Sequence, residues 1–291
     1  LFRPNDDQRE NKGDDSNLSA IETITDQNLT QIEKIMLERL GKDLKQFKKP
    51  FLNRRISARM RSVGVKTGSE YAKLLEEDHD EPTLLFKSFS INVTEFYRDS
   101  FVWQAMSSQI LPQIAKAVKT VKIWSAGCAT GEEPYSLAIL LKESMPTKSL
   151  KFSIIATDIN KEAIQKAKEG RYAQPSLKNL QHDVVSKYFL QRDNNTYEVK
   201  PEIKEAVSFE CGDILSLNVE QIHLITCRNV LIYYDKPAQE LIFKKFHKTL
   251  TNDGYLVIGQ DETMMGVTAA KLFSCVLPRE RIYAKLPESG T

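Results

Sequence analysis

Residues 123–141, IWSAGCATGEEPYSLAILL, constrain this chain more tightly than any other stretch. An apolar run ends at Ala126, a turn carrying Gly127 and Gly131 follows, and a helical pattern opens on Glu132, Glu133 and Pro134. A buried strand, a small-residue turn and a helix together form the first unit of a doubly wound α/β sheet, whose ligands sit outside the carboxyl ends of the strands. The pattern then repeats. LKFSIIATDIN reads as a strand, KEAIQKAKEGRY as a helix, VSFECGDIL and QIHLITC as strands, PAQELIFKKFHKTL as a helix and GYLVIGQ as a strand. Strands alternating with helices of this length imply a largely parallel sheet covered on both faces. KLFSCVLPRERIYAKL adds an antiparallel pair at one side, a common variation.

Around this core the rest of the chain divides. Residues 1–18 are polar and read as a disordered leader. Residues 19–85 read as a helical domain of three helices. The first places Leu29, Ile32, Ile35, Met36 and Leu40 on one face before Gly41. The second runs from about Pro50 to Gly64, and the third starts at a Ser69 cap. Residues 86–100, FKSFSINVTEFYRDS, are a connector dense in aromatic and polar side chains, and SFVWQAMSSQILPQIAKAV leads as a helix into the α/β domain, 101–287. Within that domain 171–205 interrupts the alternation. YFLQRDNNTYEVKPEI holds two short β-like runs around an Asp-Asn-Asn turn, a small hairpin insertion.

The 291 residues, 41% hydrophobic and 27% charged, carry a net charge of only +2, which singles out no partner. The distribution says more. Lys45–Lys66 holds eight basic residues and no acid, whereas five of the six residues from Glu76 to Glu81 are acidic. Apart from Phe47 and Phe51 the basic stretch lacks interleaved aromatics, and the chain as a whole is not strongly basic, so an acidic protein partner suits it better than nucleic acid. No apolar run is long enough to cross a bilayer. The four cysteines form no CxxC pair and the four histidines no ligand spacing, so free thiols in a reducing compartment are expected and a metal is not.

The turn at 127–133 selects among ligands by charge. It lacks the lysine of a P-loop and the third glycine of a dinucleotide fingerprint, and two carboxylates behind it repel a pyrophosphate. S-adenosylmethionine has no phosphate and carries an ammonium and a sulfonium, so the sign of the turn favours it. Asp158, ending the strand FSIIATD, suits a ribose, though NAD enzymes share that feature.

The motifs SINVTEFYRD, WSAGCATGEEPYSLA, ATDIN, GRY, YF, CRNVLIYYD and DGYLVIGQDE stand in the order found in CheR-type chemotaxis receptor methyltransferases, and the chain resembles that family over roughly 25–286. The resemblance implies a Rossmann-like class I methyltransferase domain with a small β-subdomain, preceded by an all-α domain. It implies a cytoplasmic enzyme that uses S-adenosylmethionine, leaves S-adenosylhomocysteine, and methylates glutamates on the cytoplasmic helical bundle of chemoreceptors. By motif position Asn92, Thr94, Arg98, Glu132, Asp158, Asp213, Ile214, Arg228 and Asn229 are expected at the cofactor. Arg98 and Tyr233 are expected to act in catalysis, and Arg54, Arg55, Arg59 and Arg61 to dock the substrate. Of the two acids after the turn, Glu132 is taken as the ligand and Glu133 as an ordinary first-turn acid. Two departures stand out. Many members read Gly-His-Ser-Glu where this chain has Gly259 to Glu262, GQDE, which puts a contact near the cofactor mouth in question. The insertion lacks the glycine of members that tether to a receptor's C-terminal peptide, so a tether-independent enzyme is expected. A same-fold methyltransferase for another substrate and a non-catalytic cofactor-binding scaffold are the alternatives.

Overall fold

The computed structural model describes residues 22–90, 94–144, 151–264 and 267–287. The expected leader and Asn92 lie outside the described residues. The chain separates into two compact units. One runs to Lys45 and resumes over Lys49–Phe86; the other comprises Gln46–Lys48 and everything from Lys87.

The first unit is helical. α1 (Asp26–Leu40) starts at Thr25, which exchanges side-chain hydrogen bonds with Asn28 across the cap, and ends at Gly41 in the left-handed conformation. Its apolar stripe, Leu29, Ile32, Ile35 and Met36, is buried. α2 (Lys49–Val63) buries Phe51, Leu52, Ile56 and Met60. α3 (Gly68–Glu77) is capped by Thr67 rather than Ser69. Thr67 Oγ1 accepts from Glu70 N (3.2 Å), and Glu70 Oε2 accepts from Thr67 N (3.0 Å). The Thr-x-x-Glu spacing satisfies two orphan amides at once, which Ser69, lacking an acid three residues on, does not. The α3 C-terminus is closed by the Arg39 guanidinium, which donates to the carbonyls of Leu75, Glu76 and Asp78 at 2.7–3.0 Å. A fourth helix, α4 (Glu81–Ser88), adds to the three expected and starts where Asp78 Oδ1 accepts from Asp80 N and Glu81 N (2.8 Å each).

The second unit continues with α5 (Ser100–Ala105) and α6 (Leu111–Ala117), joined by one wide π turn at Met106–Ile110 that interrupts the single helix expected. Then follow β1 (Thr120–Ala126), α7 (Glu132–Ser144), β2 (Lys151–Asp158) and α8 (Lys161–Glu169). An insertion supplies β3 (Arg171–Ala173), α9 (His182–Tyr188), β4 (Phe189–Gln191), β5 (Thr196–Val199) and the short α10 (Pro201–Lys204). β6 (Val207–Cys211), β7 (Ile222–Cys227), α11 (Lys236–Thr249), β8 (Leu250–Ile258), α12 (Val267–Leu272), β9 (Phe273–Leu277) and β10 (Ile282–Lys285) complete it.

The main sheet has the order β6-β2-β1-β7-β8-β10-β9, with β10 antiparallel to both neighbours. Strand order reverses between β1 and β7, so a crevice opens at their carboxyl ends. Beneath it Trp124 is fully buried, its indole N–H donating to Thr157 Oγ1 (2.9 Å) and its ring edge-on to Phe246. Satisfying that donor in the core keeps β1 and β2 in register where the site is built.

The insertion is larger than a hairpin. Its sheet has three strands, in the order β3-β5-β4, and carries α9. The β4–β5 turn needs no glycine because Asp193 Oδ1 accepts from Asn195 N (2.9 Å) and Thr196 N (2.8 Å). On β5, Glu198 accepts from Lys204 (2.8 Å), Arg192 (2.8 Å) and Arg171 (3.3 Å), and these cations, Lys204 foremost, hold its carboxyl at about 2. The folded value lies below the unfolded one. The carboxylate therefore stabilises the fold above the ordinary glutamate range, and its contribution is lost as pH falls toward 2. Glu198→Gln should accordingly be less stable than wild type at pH 6, with the gap closing as pH is lowered to 2. Urea titrations across that range read it, and a constant gap would refute the assignment.

Candidate active site

The crevice at the reversal point is a cleft of ≈ 880 Å³, open solvent at its mouth included. Its floor is the β1–α7 turn. Gly127 N and Cys128 N donate to Thr157 O (2.8 and 2.9 Å), stitching the turn to the end of β2. Gly127 has φ +87°, and a Cβ there would strike the Val230 side chain; Gly131 has φ +98° and abuts Ala167 and the Tyr172 hydroxyl. Both positions exclude a side chain by conformation and by space. Ala129 and Asn229, which also line the cleft, hold positive φ (47° and 61°) without being glycine. Tyr97 and Asp99, on either side of cleft-lining Arg98, do the same (50° and 57°). Such strained backbone gathers where geometry serves a ligand.

Asp158 joins the surrounding elements. Its Oδ2 accepts from Ala129 N (2.9 Å), and its Oδ1 from Asn160 N (2.9 Å) and Ser90 (3.4 Å). Its backbone carbonyl accepts from Gly212 N (2.9 Å). Burial pushes its carboxyl above the usual aspartate value, and those donors oppose the shift. With two lone-pair sites on each oxygen, the carboxylate keeps acceptor capacity for a ligand hydroxyl.

The acid on the cleft wall is Glu133, a reversal of the expected order. Glu132 turns into the protein. It is 5% exposed, accepts from Thr130 Oγ1 (2.7 Å), and burial raises its carboxyl. Glu133 Oε1 is fixed by Ser125 (2.8 Å) and Thr226 (2.6 Å), so strands β1 and β7 both aim it. Beside it lies Arg228, whose side chain is 2% exposed. Its Nη2 donates to Asp99 Oδ2 (2.7 Å) and Arg98 O (2.9 Å), and its Nη1 lies 3.5 Å from Glu133 Oε2. Its Nε is buried with no hydrogen-bond partner among the described residues. An acceptor within the cleft, such as an amino-acid carboxylate, would satisfy that donor, while Glu133 suits an ammonium.

Of the residues expected at the cofactor, Thr94, Arg98, Asp158, Ile214, Arg228 and Asn229 line this cleft, and Tyr233 lines it too. Asp213 is absent from the wall. Its carboxylate instead accepts from Leu215 N (2.8 Å) and Gln46 Nε2 (3.4 Å), bracing the loop that presents its neighbours Gly212 and Ile214. Three aromatic residues outside the expected site set, Phe47, Phe89 and Tyr234, also line the cleft, their rings 5.0–5.7 Å apart where Phe47 meets the other two. The GQDE segment lies off the wall. Glu262 is buried and accepts from Val230 N and Leu231 N (2.7 Å each), Ile232 N (3.3 Å) and Gly259 N. Its influence on the cleft passes through the loop carrying Asn229 and Tyr233. Burial pushes the Cys128 thiol well up, which makes it packing rather than a nucleophile.

The four arginines of α2 do not act alike. Arg54 and Arg61 are exposed. Arg55 is half-buried with its guanidinium over the Phe51 ring (5.7 Å). Arg59 is committed inward, bidentate on Glu81 (Nε to Oε1 3.0 Å, Nη2 to Oε2 2.6 Å), and Tyr71 donates to the same carboxylate (2.6 Å). A guanidinium so engaged is a fold element rather than a docking charge.

A sheet of this order, with one antiparallel strand set in beside the last parallel one, an acid ending the second strand and a small-residue turn after the first, defines a class I S-adenosylmethionine-dependent methyltransferase. Residues 92–278 match the family described as "CheR methyltransferase, SAM binding domain", and residues 27–90 match "CheR methyltransferase, all-alpha domain". The chain belongs to the CheR methyltransferase family. It is 33% identical over 255 residues to the chemotaxis protein methyltransferase of Borreliella burgdorferi, covering 84% of this chain and 90% of that protein. It is 32% identical over 232 residues to that of Listeria innocua (78% and 86%) and 29% identical over 248 residues to that of Escherichia coli (82% and 85%). No helix among the described residues is long and apolar enough to cross a membrane, and none of their His, Cys, Asp and Glu groups is arranged to hold a metal ion.

Proposed function

We propose that this methyltransferase esterifies glutamate side chains on the cytoplasmic helical bundle of chemoreceptors and works in the cytoplasm. The observation that carries the reading is the charge of the cleft. Three carboxylates, Glu95, Glu133 and Asp158, and two arginines, Arg98 and the ion-paired Arg228, line the crevice, and none of the described residues in its wall is a lysine that would hold a phosphate. Bound S-adenosylmethionine supplies a methyl group already activated by a positive sulfur. Asp158 would hold a ribose hydroxyl, Glu133 the ammonium, and Arg228 Nε the carboxylate. Ile214 and Gly212 would bound the base. Thr94 and Asn229 would complete the wall, with Asn92 contributing from the same connector.

The acceptor needs no base, because a glutamate side chain (pKa ~4.3) is already ionised at neutral pH. What remains for the protein is alignment and exclusion of water. Arg98 would steer the incoming carboxylate with a charge-assisted hydrogen bond, and the Tyr233 hydroxyl would position it. A dry cleft favours a transition state in which an anion and a cation neutralise each other.

Docking would rest on the exposed arginines Arg54 and Arg61, with no tether to a receptor C-terminal peptide. The glycine-free β4–β5 turn, closed by Asp193, supports the second point. The test is transfer of tritiated methyl to receptor-containing membranes, with base-labile counts marking an ester. Arg54→Glu with Arg61→Glu should raise the KM for receptor at least tenfold and leave cofactor affinity unchanged. Receptors shortened at the C-terminus should be methylated as well as intact ones. Cofactor binding without labelled receptor would favour the scaffold, and unaltered turnover in the charge-reversed variant would favour another substrate.

A further inference from the structure

Residues 46–48 form a strap whose place in the cleft the sequence does not announce. They stand between helices of the first unit yet belong to the second. Lys48 N donates to Tyr233 O (2.9 Å), Asp235 N donates to Gln46 O (2.9 Å), and Phe47 pairs with Tyr234 as an antiparallel bridge. Asp235 is itself fixed as the N-cap of α11, its Oδ1 accepting from Ala238 N (2.8 Å). The strap is thus anchored to a rigid helix start rather than draped over the surface.

That anchoring delivers one side chain. Phe47 lines the cleft and is only 5% exposed. Its ring lies 5.0 Å from that of Tyr234 at 31° and 5.7 Å from that of Phe89 at 58°. The cleft wall also carries Ile159, Gly212 and Ile214, all without a charge, beside the charged Glu133, Arg98 and Arg228, and Gly212 N donates to the carbonyl of Asp158 (2.9 Å). The clustered rings and uncharged residues suit a flat, weakly polar group, and the charged side chains suit the zwitterionic part of the ligand.

We infer that Phe47 is a cofactor-binding residue, its ring forming one wall of the purine compartment. The inference rests on the cofactor reading above and adds to it a contact from the segment matching the all-alpha domain. Phe47 is pre-positioned by backbone hydrogen bonds that its side chain does not make, so changing the ring leaves the strap attached. Base–aromatic contact of this kind tolerates any aromatic ring and fails with a methyl group.

Calorimetry on the full chain tests it, with S-adenosylhomocysteine and adenosine as probes. Phe47→Ala should bind both about 5–160-fold more weakly, the range for deleting one base–aromatic stack, and Phe47→Tyr should restore binding. The KM for S-adenosylmethionine should rise while kcat at saturation holds. If Phe47→Ala unfolds, Phe47→Leu, which keeps the volume and loses the ring, should show the same loss for both probes. Binding of both probes within twofold of wild type by a folded Phe47→Ala or Phe47→Leu protein overturns the inference and spares the cofactor reading. Wild-type protein that binds neither probe overturns the cofactor reading and this contact with it.

Discussion

Replacing Arg228 with methionine should lower the unfolding free energy by about 3 kcal/mol, the low end of what removing one partner of a buried ion pair costs. The low end applies because Asp99 keeps 29% side-chain exposure and can turn to water, while Glu133, at 14%, cannot. The same change should weaken S-adenosylhomocysteine binding at least tenfold. It leaves Glu133 uncompensated and removes the donor proposed for the ligand carboxylate. Arg228→Lys separates the two losses. An ammonium restores a charge between Asp99 and Glu133 but cannot present Nη1, Nη2 and Nε in one plane, so stability should recover more than affinity. Urea denaturation with and without ligand reads both quantities. A methionine variant within 1 kcal/mol of wild type would show that the buried cation is not what holds Asp99, Glu133 and the Arg98 carbonyl together.

The parts of the molecule that the sequence displays are those whose causes are local. Strand β1 and helix α7 are legible because Ile123, Trp124 and the LAILL run are apolar on the right period, and the conformation of Gly127 and Gly131 is demanded by the turn itself. The Thr67 cap is legible too, since Thr-x-x-Glu is a local signature that Ser69, with no acid three residues on, lacks. The choice between Glu132 and Glu133 was not readable. One residue is a rotation of about 100° around a helix, and which direction faces the cleft depends on how α7 meets β1 and β7. Ser125 and Thr226, from those two strands, decide it. Arg59 illustrates the same limit. A charge run predicts a basic face, but Glu81, 22 residues away, withdraws one of its members. Phe47 is the extreme case, because its partners Phe89 and Tyr234 lie far along the chain and only the folded strap brings the three rings together.

Glu262 shows how such a distant contact can govern turnover without touching the ligand. The loop from Asn229 to Tyr233 carries three cleft residues, Asn229, Val230 and Tyr233, yet its first three amides after Asn229 have their side-chain acceptor in one carboxylate 30–32 residues away. A charged acceptor shared among Val230, Leu231, Ile232 and Gly259 holds the positive φ of Asn229 in place. Glu262→Ala should therefore destabilise the fold by about 2–3 kcal/mol, because buried amides lose their partner and recover only what water can reach. The kcat should fall at least tenfold, since Tyr233 would no longer be held to one position. The cofactor KM should change less, because Asp158 and Glu133 are anchored by β1, β2 and β7 rather than by this loop. Glu262→Gln is the informative partner variant. Its carbonyl can still serve the three loop amides through the Oε1 position, but its amide group meets Gly259 N as donor against donor. It should recover most of the kcat lost in the alanine variant and less of the stability. Equal kcat in the wild-type and alanine enzymes, measured at saturating cofactor and receptor, would mean that Tyr233 needs no such support and that the loop is ordered by its other contacts.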